Sequence, residues 1–231
     1  MRKIIFLLVT QFVLFSCQKS KVMEGQEIRI PLECNTSEEF SIHHLHLFAI
    51  DRDNRITRYE TFTSSDIHEN TLHATLPLGR YRLALVANAP KGNIVIPETG
   101  ETLENLFLCL PHEENTYQEA SDISTALQSV SITENKNALP PIRLFRRTGT
   151  LQVSLHAIPK EISNLNLELS FIPSSVSFSG STTNTFGTIT KPVDYQGKVM
   201  IRTFPAKKGE TTLSVTYDED NTPKRKIIPF S

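Results

Sequence analysis

Thr71-Leu72-His73-Ala74-Thr75-Leu76-Pro77-Leu78-Gly79-Arg80-Tyr81-Arg82-Leu83-Ala84-Leu85-Val86-Ala87 is the stretch that decides the fold class. Two extended runs, Thr71–Leu76 and Tyr81–Ala87, are joined by the turn residues Pro77-Leu78-Gly79, and Tyr81, Leu83, Leu85 and Ala87 fall on one face of the second run. A repeat of two with Pro and Gly between the runs is the pattern of paired strands. Upstream, Gln26–Glu33 alternates through Ile28, Ile30 and Leu32. His44–Ile50 is rich in Leu and Phe and ends in the polar turn Asp51-Arg52-Asp53-Asn54, after which Arg55–Thr63 reads as another strand. Short β-rich runs broken by turn residues every eight to twelve positions predict an all-β sandwich and argue against βαβ units.

Between Pro111 and Pro141 the composition turns polar. A structureless connection of that length is unusual inside a compact domain. Ala120, Ile123, Leu127 and Val130 stand at helical spacing, so one short helix is expected over Tyr117–Val130. Strands resume at Ile142–Phe145 and Leu151–His156, followed by Leu165–Phe171, Val176–Phe178, Phe186–Thr190, Lys198–Phe204, Thr211–Tyr217 and Lys224–Phe230. The preferred organisation is two β-sandwich domains, 26–140 and 141–231, with one continuous sandwich as the alternative. In the final run, Lys224-Arg225-Lys226 and Pro229 read as guards against edge pairing, on a strand expected to close its own domain.

The sequence begins with Met1-Arg2-Lys3 and an apolar run from Ile4 to Phe15. This is the layout of a secretory signal over residues 1–16, too short to span a bilayer comfortably. Leu14-Phe15-Ser16-Cys17 resembles the lipobox of bacterial lipoproteins, so Cys17 is expected to carry a diacylglyceryl thioether and residues 17–25 to form a lipidated tether. Two or more acyl chains give lasting attachment. The second residue after the cut is Gln18, not Asp, which by known sorting rules favours the outer membrane, with exposure at the cell surface.

Cleavage would remove sixteen of 231 residues and leave 215. Without Arg2 and Lys3, 22 basic residues face 25 acidic ones, a net charge near −3. That balance points to no nucleic-acid partner and to no polybasic membrane patch. Outside the cytoplasm Cys34 and Cys109 could form a disulfide or remain two separate thiols, and both readings stay open. The absence of Trp counts against an aromatic glycan platform.

Several segments resemble the fimbrillin-type anchor and accessory lipoproteins of the fimbriae of oral and gut anaerobes. His44-Leu45-His46-Leu47-Phe48-Ala49-Ile50-Asp51 is similar to a family strand ending before a turn. Gly79-Arg80-Tyr81 leading to Val86-Ala87-Asn88 is similar to its Gly-x-Tyr…Val-Ala-Asn strand. Leu144-Phe145-Arg146 with Gly149-Thr150-Leu151-Gln152-Val153 looks like the passage into its second domain, and Ile158-Pro159 falls where a short Pro-containing turn is usual. The resemblance implies two tandem transthyretin-like (Greek-key) sandwiches. It also implies an anchor or accessory role, with fimbrial subunits as partners and β-strand addition as the mode of joining.

His44 and His46 would share a strand face as a metal pair, but no further ligand is placed beside them, so no metal site is expected. Asp51-Arg52-Asp53-Asn54 lacks the glycine and closing Glu of a calcium loop and reads as a turn. There is no nucleophile elbow, His-Glu-x-x-His, phosphate loop or dinucleotide fingerprint. The expectation is therefore no enzyme, no cofactor and no small-molecule substrate. The competing class is a surface lipoprotein that binds glycan or peptide for nutrient uptake.

Overall fold

In a computed structural model, residues 25–34, 41–113, 116–194, 196–206 and 209–229 are described. The leader, Cys17 and tether residues 17–24 lie outside them. The first strands are β1 (Gly25–Cys34), β2 (His44–Ile50), β3 (Ile56–Thr63), β4 (Ile67–His68), β5 (Thr71–Pro77) and β6 (Gly79–Ala87). Four short ones follow: β7 (Ile94–Val95), β8 (Phe107–Cys109), β9 (His112–Glu113) and β10 (Thr116–Tyr117). Next come β11 (Ser124–Ile132), β12 (Ile142–Arg146), β13 (Gly149–Ser154), β14 (Ile162–Pro173) and β15 (Ser175–Ser177). The last are β16 (Phe186–Pro192), β17 (Lys198–Thr203), β18 (Thr212–Glu219) and β19 (Thr222–Ile228). Helical structure among the described residues is confined to two single 3-10 turns, Ser64–Asp66 and Leu103–Asn105.

Eight strands form one sheet in the order β3-β2-β6-β11-β12-β1-β5-β4. Its middle is narrow, because β11 and β12 share only Ser124↔Arg146 and Thr125↔Phe145. The sheet folds there, and its two halves enclose one core. Ile28, Ile30, Leu72, Leu76 and Ile142 from one half meet Leu45, Leu47, Leu83, Leu85 and Val130 from the other.

β2 and β6 are buried on both faces, which explains why His44–Ile50 and Leu83–Ala87 read as apolar runs instead of alternating. Leu45, Leu47 and Ala49 enter the first core, whereas Phe48 and Ile50 point the other way. With Ala84 and Val86 they join a second core built with Leu167, Leu169 and Ile172 of β14, Ile189 of β16, Val199 and Ile201 of β17, and Leu213 and Val215 of β18. The later half of the chain thus packs on the outer face of the first sheet.

One sequence expectation is corrected. No helix forms over Tyr117–Val130: β10 ends at Tyr117 and β11 pairs with β6 over nine residues, from Ser124↔Ala87 to Ile132↔Gly79. The four apolar residues at helical spacing do not share a face. Ala120 and Ile123 enter the second core, Val130 the first, and Leu127 is exposed. Ala126, Val130 and Ile132 carry the period of two that decides the element. By strand pairing, the first sheet extends through β12 to Arg146. β12 runs parallel to β1 with Leu32↔Ile142, and Ile142 and Leu144 are buried in the first core.

The fold also explains two of the quoted motifs. Gly79 has φ 147, and a Cβ there would lie 2.7 Å from the Tyr81 hydroxyl, which donates to the Leu78 carbonyl at 2.8 Å. Tyr81 therefore folds back over a position open only to glycine. Asn88 takes a left-handed φ of 58, which Asn tolerates better than most residues. Its Oδ1 accepts from the His43 N–H at 2.8 Å and its Nδ2 donates to the Ser41 carbonyl at 2.9 Å, tying the segment before β2 to the end of β6.

His46, on the Phe48 face of β2, is 8% exposed. Its Nε2 lies 2.7 Å from the Ala89 carbonyl and its Nδ1 2.9 Å from the Tyr59 hydroxyl. A carbonyl only accepts, so Nε2 carries the proton of the neutral ring and Nδ1 accepts from Tyr59. Burial holds the His46 pKa below 6.5; the Ala89 carbonyl opposes this and neighbouring His44 adds to it. Below pH 6.5 the unfolded chain binds a proton that the folded one resists, so stability falls as pH drops from about 6.5 towards 5. Chemical denaturation across that window should show this slope, and His46→Gln should flatten it. An unchanged slope would mean that His46 is not its source.

Candidate assembly surface

The later half contains a four-stranded sheet, β16-β14-β18-β19, and a separate pair, β13-β17. β13 pairs only with β17 and β19 only with β18, so each leaves one edge without a strand among the described residues. Neither is well covered. No residue of β13 is buried, and in β19 only Ile228 escapes full exposure.

A groove of ≈ 410 Å³ lies between β14, β18 and β19 on one side and the segment that follows β13 on the other, lined by Leu155, Ile158, Pro159, Ile162, Leu165, Val215, Tyr217, Lys226 and Ile228. The apolar side chains that should close a sandwich here remain half-buried. Leu151, Val153, Leu155, Leu165, Tyr217 and Ile228 pack against the second core without being enclosed by it. Along β19, Ile228 stands opposite Leu213, Lys226 opposite Val215 and Lys224 opposite Tyr217, so both lysines share the groove face. Arg225 points away, donating to Ser214 Oγ at 3.1 Å and pairing with Glu168. An inward charge on an edge strand discourages indiscriminate pairing.

The other margin of the sheet is treated differently. β10 lies against β16, and a Cβ on Gly187 would stand 2.3 Å from the Tyr117 ring, which covers that glycine. One margin is capped by an aromatic ring and the other is left as an apolar seam.

The other sequence candidates are dispersed. Cys17 lies outside the described residues. Cys34 and Cys109 are free thiols: Cys34 ends β1 opposite Leu144, and Cys109 stands in β8 opposite Ser175. Of the two readings left open, the structure has the two unpaired thiols, on strands of different sheets. Burial pushes the Cys109 thiol pKa up. His44 is exposed while His46 is buried and hydrogen-bonded, and the described residues contain no cluster of three or more metal-binding side chains. Asp51 Oδ1 accepts the N–H groups of Asp53 and Arg55, both at 2.9 Å, and Asn54 takes φ 65, which makes a tight turn between β2 and β3. The seam residues themselves were not singled out by sequence. Leu151-Gln152-Val153-Ser154-Leu155 reads as an ordinary half-buried strand, and nothing in it records that its neighbour is missing.

No family model matches the chain, and no curated protein matches it in sequence. Solved structures do share its fold. One described as a candidate polysaccharide-binding protein of Bacteroides thetaiotaomicron superposes with a TM-score of 0.67 at 14% identity, over 87% of this chain and 78% of that one. A candidate adhesin of Bacteroides ovatus gives 0.65 at 13% identity, over 93% and 87%. The fimbrial anchor protein Mfa2 of Porphyromonas gingivalis gives 0.55 at 15% identity, over 87% and 82%. At such identities the likeness establishes the fold alone.

Proposed function

We propose that this chain is a fimbrial anchor or accessory subunit, tethered to the outer membrane by lipid on Cys17 and joined to fimbrial subunits by β-strand addition at the seam. The observation that carries this reading is the apolar groove between β19, an edge with no second partner among the described residues, and the segment Leu155–Pro159 that follows β13. An extended segment entering there would gain main-chain hydrogen bonds from an edge and place alternate side chains against Leu155, Leu165 and Val215. β19 closes its own sheet as far as β18 and is not the donated strand. The likeness to a fimbrial anchor protein supports the same role, as does the reading of the two halves as tandem transthyretin-like domains at the cell surface. A lipid at Cys17 would hold the first half near the membrane and leave the seam of the second half for partners. The role is structural, without catalysis.

A second reading, glycan binding in nutrient uptake, is favoured by one feature. A polar hollow of ≈ 490 Å³ is lined by Ser41, His43, His44, Asn88, Ser121, Asp122 and Arg202. One of the similar structures is itself described as a candidate polysaccharide-binding protein. Deleting the gene and imaging the cells separates the two. The anchor reading expects fimbriae that are lost or shed into the medium; normal, attached fimbriae would overturn it, and a growth defect on a glycan alone would favour the second reading.

A further inference from the structure

Three arginines distant in sequence are gathered at one end of the first sheet. Arg52, Arg80 and Arg82 line an open cleft of ≈ 530 Å³ together with Ser129, Ser131 and Asp51. The strand register explains the grouping: Arg80 stands opposite Ser131, and Arg82 stands between Ser129 on β11 and Ile50 on β2. Arg52 enters from the turn that follows Ile50.

Four arginines elsewhere in the chain are paired with carboxylates. Arg58 pairs with Glu60, Arg143 with Glu33, Arg146 with Asp122 and Arg225 with Glu168. In the cleft, Arg82 has only the neutral Asn54 amide as partner. Among the described residues Arg52 and Arg80 form no ion pair. The single carboxylate, Asp51, is engaged through Oδ1 with two backbone N–H groups of its own turn. The cleft therefore presents three cations and two hydroxyls against one carboxylate, in a chain whose overall charge is −1. Guanidinium groups beside hydroxyl donors suit the oxygens of a phosphate.

Position identifies the source of that phosphate. Gly25, where β1 begins, stands opposite Pro77, and Gly79 stands opposite Ile132, one residue pair from Arg80↔Ser131. The chain thus enters the fold beside the cleft. Only seven residues lie between Cys17 and Gly25, Lys19 and Lys21 among them, and the eight steps reach at most about 29 Å when extended. We propose that the Arg52–Arg80–Arg82 cleft docks phosphate-bearing lipid headgroups of the membrane to which Cys17 is tethered, setting the orientation of the first half on that surface. This rests on the tethering reading above. The basic residues come from two strands or turns, so no run of charge marks the patch in the sequence.

The test uses the full-length chain with phosphatidylcholine vesicles, with and without phosphatidylglycerol, at low salt. Co-sedimentation should rise on adding the anionic lipid, and hydrogen exchange should slow in residues 50–55, 79–82 and 129–131. Arg80→Gln with Arg82→Gln should remove about thirtyfold of the anionic gain, at roughly 1 kcal/mol for each of the two cations near a charged surface and 1.4 kcal/mol per tenfold, and leave binding to neutral vesicles unchanged. Ser131→Asp, which keeps all three arginines and adds a carboxylate, should reproduce the loss and guards against a misfolded double variant. Equal binding to both vesicles would keep the tether and overturn the docking site. Binding to neither would overturn both. Protection of the same segments by glycerol phosphate in solution, matching that on vesicles, would make a free anion the ligand and overturn the membrane assignment.

Discussion

Phe48→Ala should lower the unfolding free energy by about 3–5 kcal/mol, a large share of the roughly 5–15 kcal/mol that holds a typical domain together. Phe48 is fully buried on β2, stacks on Tyr59 with ring centroids 4.8 Å apart, and belongs to the core that joins the first sheet to β14, β17 and β18. The expected effect is therefore not confined to one half. Hydrogen exchange should accelerate in β14 and β18 as well as in β2 and β6, because the truncated ring leaves a cavity between them. Denaturant unfolding gives the magnitude and exchange gives the location. If only residues of the first sheet loosened, the second core would not be coupling the halves.

The second large effect concerns function. Leu155→Lys should reduce capture of a fimbrial strand at least tenfold while costing the free monomer far less. Leu155 lines the seam and is half-buried, so a lysine there can turn its ammonium to water as long as the seam is empty. An incoming strand would have to cover that charge close to Lys226, and desolvating an unpaired ion costs several kcal/mol, where each 1.4 kcal/mol is a tenfold loss of affinity. Pull-down of fimbrial subunits by the variant, beside its melting temperature, separates the two quantities. Parallel losses of folding and capture would show that Leu155 serves the monomer's core instead of a partner.

Much of the architecture was legible because strands announce themselves through a local period. His44–Ile50 was read with its observed bounds, and Thr71–Leu76 and Tyr81–Ala87 were displaced by at most two residues at an end. The helix expected over Tyr117–Val130 failed for a tertiary reason. Ala120 and Ile123, ahead of β11, enter the second core, Val130 on β11 enters the first and Leu127 enters neither, so their helical spacing was coincidental. The place of β12 in the first sheet was not legible, because it adds in parallel to β1, a pairing across more than a hundred residues that no local pattern encodes. The candidate site was least visible. A strand with an empty neighbour has the same alternation as one with a full one, so β13 looked ordinary. Arg52, Arg80 and Arg82 meet only after β2 and β6 have paired.

In the proposed assembly, the seam between β19 and the segment after β13 receives a strand from a fimbrial subunit. A photo-reactive amino acid placed at Gln152 or Ser154, both exposed on β13, tests it in fimbriated cells, with exposed Thr75 on β5 as the control. Irradiation should yield an adduct with a fimbrial subunit from the β13 positions and none from Thr75. Fimbriae that stay attached while neither β13 position gives an adduct would contradict the account.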